Sequence, residues 1–412
     1  MKQNKLIYQP CSGENIEVLL PYSKSILNRC QIISFLAKKE LEISDRFVSY
    51  DNRILDEQLR LIRNNFDKGC NINVQDSGTA LRFLISLLCI TPGQWTIDGS
   101  ARLRKRPIHP LVEALRVMGG KIEYLETEDL LPLRIYSSIL NKKMIDLPSD
   151  ISSQFISSLM LISPFIEDGL ELIIRDDQVS LPYLRMTFDL MKMMGAEMDW
   201  LNNNIIIQRS DYNYKNIDIE RDWSAASYWY LLASILPGKL FILKDLFLNS
   251  LQGDCILKDL FCNFGVSSKI AGNDIIIENN GLVADKIDID LRDYPDIAPS
   301  LIVASAALDI PSFYTGLKHL KFKESDRLKV LETELCKLGF NVETDGKIFI
   351  VKKKTSSLVK TIIHTNNDHR IAMSLIPLAI LIPGIRIDSK DCVHKSYPSF
   401  FPDIEKAGIY IA

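Results

Sequence analysis

The sequence predicts an α/β protein assembled from six copies of one small unit, and two recurrences carry that prediction. The first is a helix end closed by glycine and followed by two short apolar strands around a polar turn. It occurs at Leu115-Arg-Val-Met-Gly119, Met191-Lys-Met-Met-Gly195, Phe261-Cys-Asn-Phe-Gly265 and Leu335-Cys-Lys-Leu-Gly339. These glycines stand roughly 70–76 residues apart, the mark of a structural repeat, and glycine suits the left-handed turn that closes a helix. The second is a polar helix start before an apolar run: Ser23-Lys24-Ser25, Asp76-Ser77-Gly78-Thr79, Ser152-Ser153-Gln154-Phe155, Asp222-Trp223-Ser224, Asp296-Ile297-Ala298-Pro299 and Asp368-His369-Arg370. After the first gap these also recur at roughly 70–75 residues. At 412 residues the chain exceeds the roughly 250–300 at which single cores stop growing. Six units split three and three would aim helix dipoles from two domains into one cleft, an anion site that needs no high net charge.

Taken in order, Ser25 and Arg29 lie four apart on one helical face, with Lys24 at the helix end. An amphipathic start with solvated cations fits these residues as well as a site does. In Asp76-Ser77-Gly78-Thr79-Ala80-Leu81-Arg82, Ser77 is a natural cap, Gly78 lets a ligand approach the backbone, and Arg82 lies one turn on. Such a helix end favours phosphate or carboxylate. Arg102-Leu-Arg104-Lys105-Arg106-Pro107 follows a strand-like stretch and suits either a solvated loop or a clamp for a planar anion. Ser152, Ser153 and Gln154, and later Ser180 with Tyr183, offer neutral hydrogen-bonding groups at helix starts. Asp296 heads another helix, where aspartate often serves only as a cap. Lys323-Glu324-Ser325-Asp326-Arg327 places a carboxylate between two cations, which describes a salt-bridged surface helix or a tuned acid. Asp368-His369-Arg370 and Lys395-Ser396-Tyr397-Pro398 complete the set.

A formal charge of −3 argues against a nucleic-acid partner. The eight cysteines form no C-x-x-C pair and no metal-like cluster with the five histidines, so Cys11, Cys30 and Cys89 read as buried thiols of a reducing, cytoplasmic compartment. The N-terminal stretch lacks the apolar core of a signal peptide. The most apolar segment, 371–387, is interrupted by Pro377 and Pro383, so no membrane span is expected.

Together, and in this order, Ser-Lys-Ser…Asn-Arg, Ser-Gly-Thr…Arg, Arg-Pro, Ser-Ser-Gln-Phe, Lys-Glu-Ser-Asp-Arg and Asp-His-Arg resemble the 5-enolpyruvylshikimate-3-phosphate synthase family of the shikimate pathway. The resemblance implies a two-lobed enolpyruvyl transferase fold, each lobe made of three βαβαββ repeats. The chain would cross between lobes near Leu20 and Glu220, giving residues 1–20 plus 220–412 as one lobe and 21–219 as the other. It further implies phosphoenolpyruvate and shikimate 3-phosphate as substrates, a monomer, lobes that close over the substrates, and no metal or organic cofactor. Lys24, Gly78, Arg102, Gln154, Arg327, Arg370 and Lys395 look like ligands of phosphoenolpyruvate. Ser25, Arg29, Ser152, Ser153, Gln154, Ser180, Asp296 and Lys323 look like contacts to shikimate 3-phosphate. Asp296 resembles the base that takes the hydroxyl proton, and Glu324 the acid that protonates the methylene, assisted by Lys24 and His369.

Several positions depart from the family's commoner pattern: Asp76 for Asn, Phe83 after Arg82, Arg185 for an acidic residue, His319 for an Asn, and Asp222-Trp223 without the usual Gly-Asp-Ala. The related transferase acting on UDP-N-acetylglucosamine usually carries a reactive cysteine that residues 98–110 lack here. A non-catalytic anion-binding protein on the same fold is the other alternative, disfavoured by intact acid and base candidates.

Overall fold

The computed structural model describes residues 4–11, 13, 15–44, 47–147, 152–175 and 178–412. Twelve α-helices occur among them: α1 (Lys24–Leu36), α2 (Tyr50–Asn64), α3 (Gly78–Ile90), α4 (His109–Val117), α5 (Ser153–Ile162), α6 (Leu181–Met193), α7 (Trp223–Ile235), α8 (Leu257–Leu260), α9 (Ala298–Ala307), α10 (Arg327–Lys337), α11 (His369–Leu375) and α12 (Phe400–Glu405). The chain separates into two compact units. The larger comprises Met1–Ser23, Arg46–Ser49 and Glu220–Ala412, the smaller Lys24–Asp45 and Tyr50–Ile219.

One sheet plan recurs five times. In the smaller unit Asn71–Asn73 runs parallel to Gln94–Asp98, which pairs antiparallel with Leu133–Tyr136, itself antiparallel to Lys121–Tyr124. Met144–Asp146, Leu170–Ile173, Asn204–Ile207 and Met198–Leu201 repeat the order. A parallel pair needs a crossover, and α3 and α5 supply one each. The larger unit holds three such sheets, with α7, α9 and α11 in the crossover position. In the last of them the N-terminal strand Asn4–Tyr8 lies between Arg386–Ile387 and Ile409–Ile411, so the two ends of the chain complete one repeat. The sixth unit is represented by α1 and α2, with no four-stranded sheet of its own among the described residues.

The crossover helices form the cores. In the larger unit every residue of α7 and α11 is buried, as are nine of the ten in α9 by name, Ala298 to Ala306. A helix apolar all round belongs inside. Serine hydroxyls join the three helices: Ser227 meets Ser300 at 2.9 Å and Ser300 meets Ser374 at 3.3 Å, tying α7 to α9 to α11. In the smaller unit α1, α3 and α5 pack together, and Ser86 on α3 bonds Ser158 on α5 at 2.9 Å.

Gly119, Gly195 and Gly339 follow α4, α6 and α10 with φ of +102°, +89° and +95°, as helix-closing glycines should. Gly265 differs from the expectation. α8 is only four residues long and is followed by a 3-10 turn, so Gly265 (φ +74°) lies inside the strand Phe264–Ala271, at a bulge between Phe264 and Val266. All eight cysteines are free, and Cys11 is only partly buried, unlike Cys30 and Cys89. No helix among the described residues is long and apolar enough to cross a membrane.

Candidate active site

The smaller unit gathers its polar groups at the N-terminal ends of its core helices. Ser77 caps α3 by accepting from Ala80 N–H, and Ser152 caps α5 by accepting from Gln154 N–H. Gln154 then reaches sideways, its Nε2 donating to Thr79 Oγ1 at 3.3 Å, so the first turns of α3 and α5 are joined. Its Oε1 is buried without a partner, an acceptor ready for a ligand. Ser153, the next residue, opens α5 and is buried.

Two guanidinium groups crowd the start of α3. A Cβ placed on Gly78 would fall 2.5 Å from Arg106 Nη1 and 2.6 Å from Arg82 Nη1. The missing side chain therefore makes room for cations beside a helix N-terminus, which is anion-binding chemistry. Arg82 donates to Gly78 C=O at 2.8 Å and lies over the Phe155 ring. Arg102 is about one-third exposed and is held 3.9 Å from Asp76 Oδ1, which also accepts from Ser100. The acidic departure at Asp76 thus orients a cation. Arg104 is consumed by Asp98 and Glu126.

Arg29 is 2% exposed and binds four neutral oxygens: Thr187 Oγ1 (2.7 Å), Ser25 C=O (2.8 Å), Ser157 Oγ (3.1 Å) and Tyr183 C=O (3.2 Å). Burial lowers its pKa to about 10, which still leaves it a cation at neutral pH. Among the described residues no carboxylate pairs with it. Lys24 is nearly buried and lies 3.3 Å from Asp51 on α2, whose neighbour Asn52 donates to Lys24 C=O. Ser180 caps nothing with its side chain and adopts a left-handed backbone, φ +58°, at the start of α6. That conformation costs a non-glycine residue roughly 1–3 kcal/mol and clusters at ligand sites.

The larger unit holds a second set, denser in charge. Arg327 is 1% exposed and faces three carboxylates: Asp368 through Nε at 2.9 Å, Glu324 through Nη2 at 2.8 Å, and Asp296 through Nη1 at 3.4 Å. Burial alone would lower its pKa, and the three carboxylates reverse this and raise it. Arg370 donates to Asp296 Oδ2 at 2.6 Å, and Lys395 lies 3.3 Å from Glu324 Oε1. Asp368 caps α11 through Arg370 N–H and accepts from Ser325 as well. Asp296 does not cap: Ile297 is the residue before α9 and makes no side-chain cap, and the Asp296 carboxylate faces Arg370 and Arg327, whereas Asp222 and Asp368 accept from the first-turn N–H groups of their helices. His369 is buried on the first turn of α11, 3.9 Å from Asp368. Lys323 ends the turn Lys318–Phe322 beside His319. Burial, with Lys323 close by, pushes His319 down to about 3, leaving it neutral. No group of three or more His, Cys, Asp or Glu among the described residues is placed to hold a metal.

Of the sixteen residues to which the resemblance gives a substrate or catalytic role, nine lie in the smaller unit and seven in the larger. Sequence reasoning missed Asp51, Thr187, Ser157 and the structural part of Asp368, and it left open which arginines of the 102–106 stretch face a ligand. Asp51 and Asn52 stand in a further polar helix start that the six-fold pattern did not include; for Thr187 and Ser157 only burial reveals the role.

Comparison with known proteins agrees with this architecture. The family model described as EPSP synthase (3-phosphoshikimate 1-carboxyvinyltransferase) matches residues 12–404. A 3-phosphoshikimate 1-carboxyvinyltransferase of Bacteroides fragilis is 38% identical over 397 residues, covering 96% of this chain and 95% of its own. One of Methanospirillum hungatei is 34% identical over 409 residues, covering 94% of each chain. The solved EPSP synthase of Acinetobacter baumannii is similar in fold, with a TM-score of 0.76 at 21% identity, over 100% of this chain and 99% of that one. With a match spanning nearly the whole length and both clusters in place, the chain belongs to the EPSP synthase family.

Proposed function

We propose that this chain transfers the enolpyruvyl group of phosphoenolpyruvate to the 5-hydroxyl of shikimate 3-phosphate and releases phosphate. The observation that carries the reading is the state of the two acids in the larger unit. Glu324 is pinned by Arg327 and Lys395, and Asp296 by Arg370 and Arg327. Cations this close keep a carboxylate ionised. An anionic substrate that takes Arg327, Arg370 and Lys395 as its own ligands loosens that hold, so Glu324 gains proton affinity and becomes an acid, while Asp296 becomes a stronger base.

The steps follow. Glu324 gives its proton to the methylene carbon of phosphoenolpyruvate, assisted by Lys24 and His369, and C2 becomes electrophilic. The 5-hydroxyl oxygen bonds to C2 as Asp296 takes its proton. The tetrahedral intermediate then returns a methyl proton to Glu324 as the C2–O bond to phosphate breaks. The proton held by Asp296 leaves with the phosphate. Lys24, Arg102, Arg327, Arg370 and Lys395, with the Gly78 helix end and Gln154, bear the charge that moves to the departing group. Arg29, a buried cation among neutral oxygens, suits the carboxylate of shikimate 3-phosphate; Ser25, Ser152, Ser153, Ser180 and Lys323 suit its hydroxyl and phosphate oxygens.

One chain contributes both clusters, which supports a monomer, and eight free thiols support a cytoplasmic setting. Phosphate release from phosphoenolpyruvate tests the function. Release with shikimate 3-phosphate and none with UDP-N-acetylglucosamine is expected; the opposite pattern, or release with neither, overturns it.

A further inference from the structure

One buried acid of the larger unit has no part in these steps. Asp254 lies in the 3-10 turn Gly253–Ile256 and is 3% exposed. The turn is fastened to the start of α7. Gln252 accepts from Trp223 N–H at 3.0 Å and donates to Arg221 C=O at 2.8 Å, and Ser224 on the first turn of α7 donates its hydroxyl to Asp254 Oδ2.

The starts of α7, α9 and α11 bring charged groups to bear on Asp254. Ser227, Ser300 and Ser374 meet in one layer where α7, α9 and α11 touch. One turn toward the N-termini from that layer come Ser224, which holds Asp254, and Arg370, while Asp296 lies just ahead of the residue that precedes α9. Arg370 and Asp296 are in contact at 2.6 Å. The charged groups bearing on Asp254 are Asp296 ahead of α9, Arg370 on α11 and Asp222 capping α7. Cys255 within the turn and Tyr294 ahead of Asp296 are the other titratable groups near Asp254.

We propose that Asp254 is a positioning residue for this site, a buried carboxylic acid whose neutral form leaves Arg370 to Asp296 and to the anionic substrate, and whose ionised form competes for Arg370 and repels that substrate. The inference rests on the reading of Asp296 as the base and Arg370 as a phosphoenolpyruvate ligand. Burial, reinforced by the charge of Asp296, pushes the Asp254 carboxyl up to about 7, against the opposing pull of the Ser224 hydroxyl and Arg370. Its titration therefore falls near neutral pH.

The test compares kcat/KM for phosphoenolpyruvate between the unaltered chain and Asp254→Asn from about pH 5 to about pH 9. Substrate ionisations are common to both and cancel in the ratio. The ratio of variant to unaltered chain should rise at least threefold across that range, its midpoint near pH 7; a flat ratio overturns the proposal. Thermal melts read the same group without reference to catalysis. A carboxyl whose folded-state pKa lies above its unfolded value of about 3.9 adds stability that is full below about pH 4 and is lost as pH rises through about 7. The melting temperature of Asp254→Asn should therefore gain on that of the unaltered chain between those values. If Asp254→Asn fails to fold, Ser224→Ala removes a donor that favours the charged form, so the ratio of kcat/KM in Ser224→Ala to that of the unaltered chain should rise as pH passes through about 7; a flat ratio overturns the proposal. Turnover retained in Asp296→Asn would instead retire the base reading, whereas an inactive Asp296→Asn beside a flat Asp254→Asn ratio retires this inference alone.

Discussion

Arg29 is a cation sealed among neutral oxygens, which is stable only if burial of the charge is offset by several hydrogen bonds and, in the working enzyme, by an anion. Arg29→Ala should raise the KM for shikimate 3-phosphate at least tenfold, consistent with the roughly 1.5–3 kcal/mol of a charged hydrogen bond. The KM for phosphoenolpyruvate should change by less than about threefold, on the same scale. Initial rates with each substrate varied in turn decide this, and equal weakening of both contradicts the assignment. Gly78 makes the converse prediction. An added methyl meets the far ends of Arg82 and Arg106 rather than backbone, so Gly78→Ala should leave the melting temperature close to the unaltered value while raising the KM for phosphoenolpyruvate severalfold. A large loss of stability with unchanged KM would show that Gly78 serves only packing.

At the scale of the helix, the ends carry both fold and function. Asp222 and Asp368 cap α7 and α11, whereas Asp296, in the matching place, precedes α9 and binds arginines. The sequence shows all three as aspartates at helix starts and does not separate them, because a cap and a base differ only in which atoms lie within 3 Å. Asp368 does two tasks, capping α11 and neutralising Arg327. Asp368→Ala strips a partner from a buried ion cluster and should destabilise the fold by roughly 3–5 kcal/mol. Removing the cap at Asp326 on the more exposed start of α10 should cost about 1 kcal/mol; chemical denaturation of both variants checks the ranking. The glycine-closed helix ends were legible at Gly119, Gly195 and Gly339 because a left-handed turn strongly selects glycine. Gly265 was misread because a left-handed φ occurs equally at a bulge, and the apolar stretch before it supports only a four-residue helix.

Over the whole molecule, the periodic features announced repetition, and the shared sheet order bears that out in five sheets. Strand pairing itself was not legible, since register joins residues far apart, as when the N-terminal strand pairs with Arg386–Ile387 and Ile409–Ile411 to complete the last sheet. Of the site, the charged residues stood out as motifs, while their partners Thr187, Asp51 and Asp254 did not, because burial is a property of the fold. A formal charge of −3 coexists with anion chemistry because cations are concentrated at helix starts. Arginine and lysine bear the charge that moves in the proposed steps, so chelators should leave turnover intact; loss on chelation with rescue by a divalent metal would contradict that part of the account.

The central claim is that Glu324 protonates the methylene of phosphoenolpyruvate and later recovers a proton from the resulting methyl group. Proton NMR of the vinyl positions during turnover in heavy water, with shikimate 3-phosphate present, measures this directly. The account predicts deuterium at the vinyl carbon of the product and of recovered phosphoenolpyruvate, lost together with phosphate release in Glu324→Gln. Phosphate release with undeuterated vinyl groups, or undiminished deuterium exchange in Glu324→Gln, would contradict it.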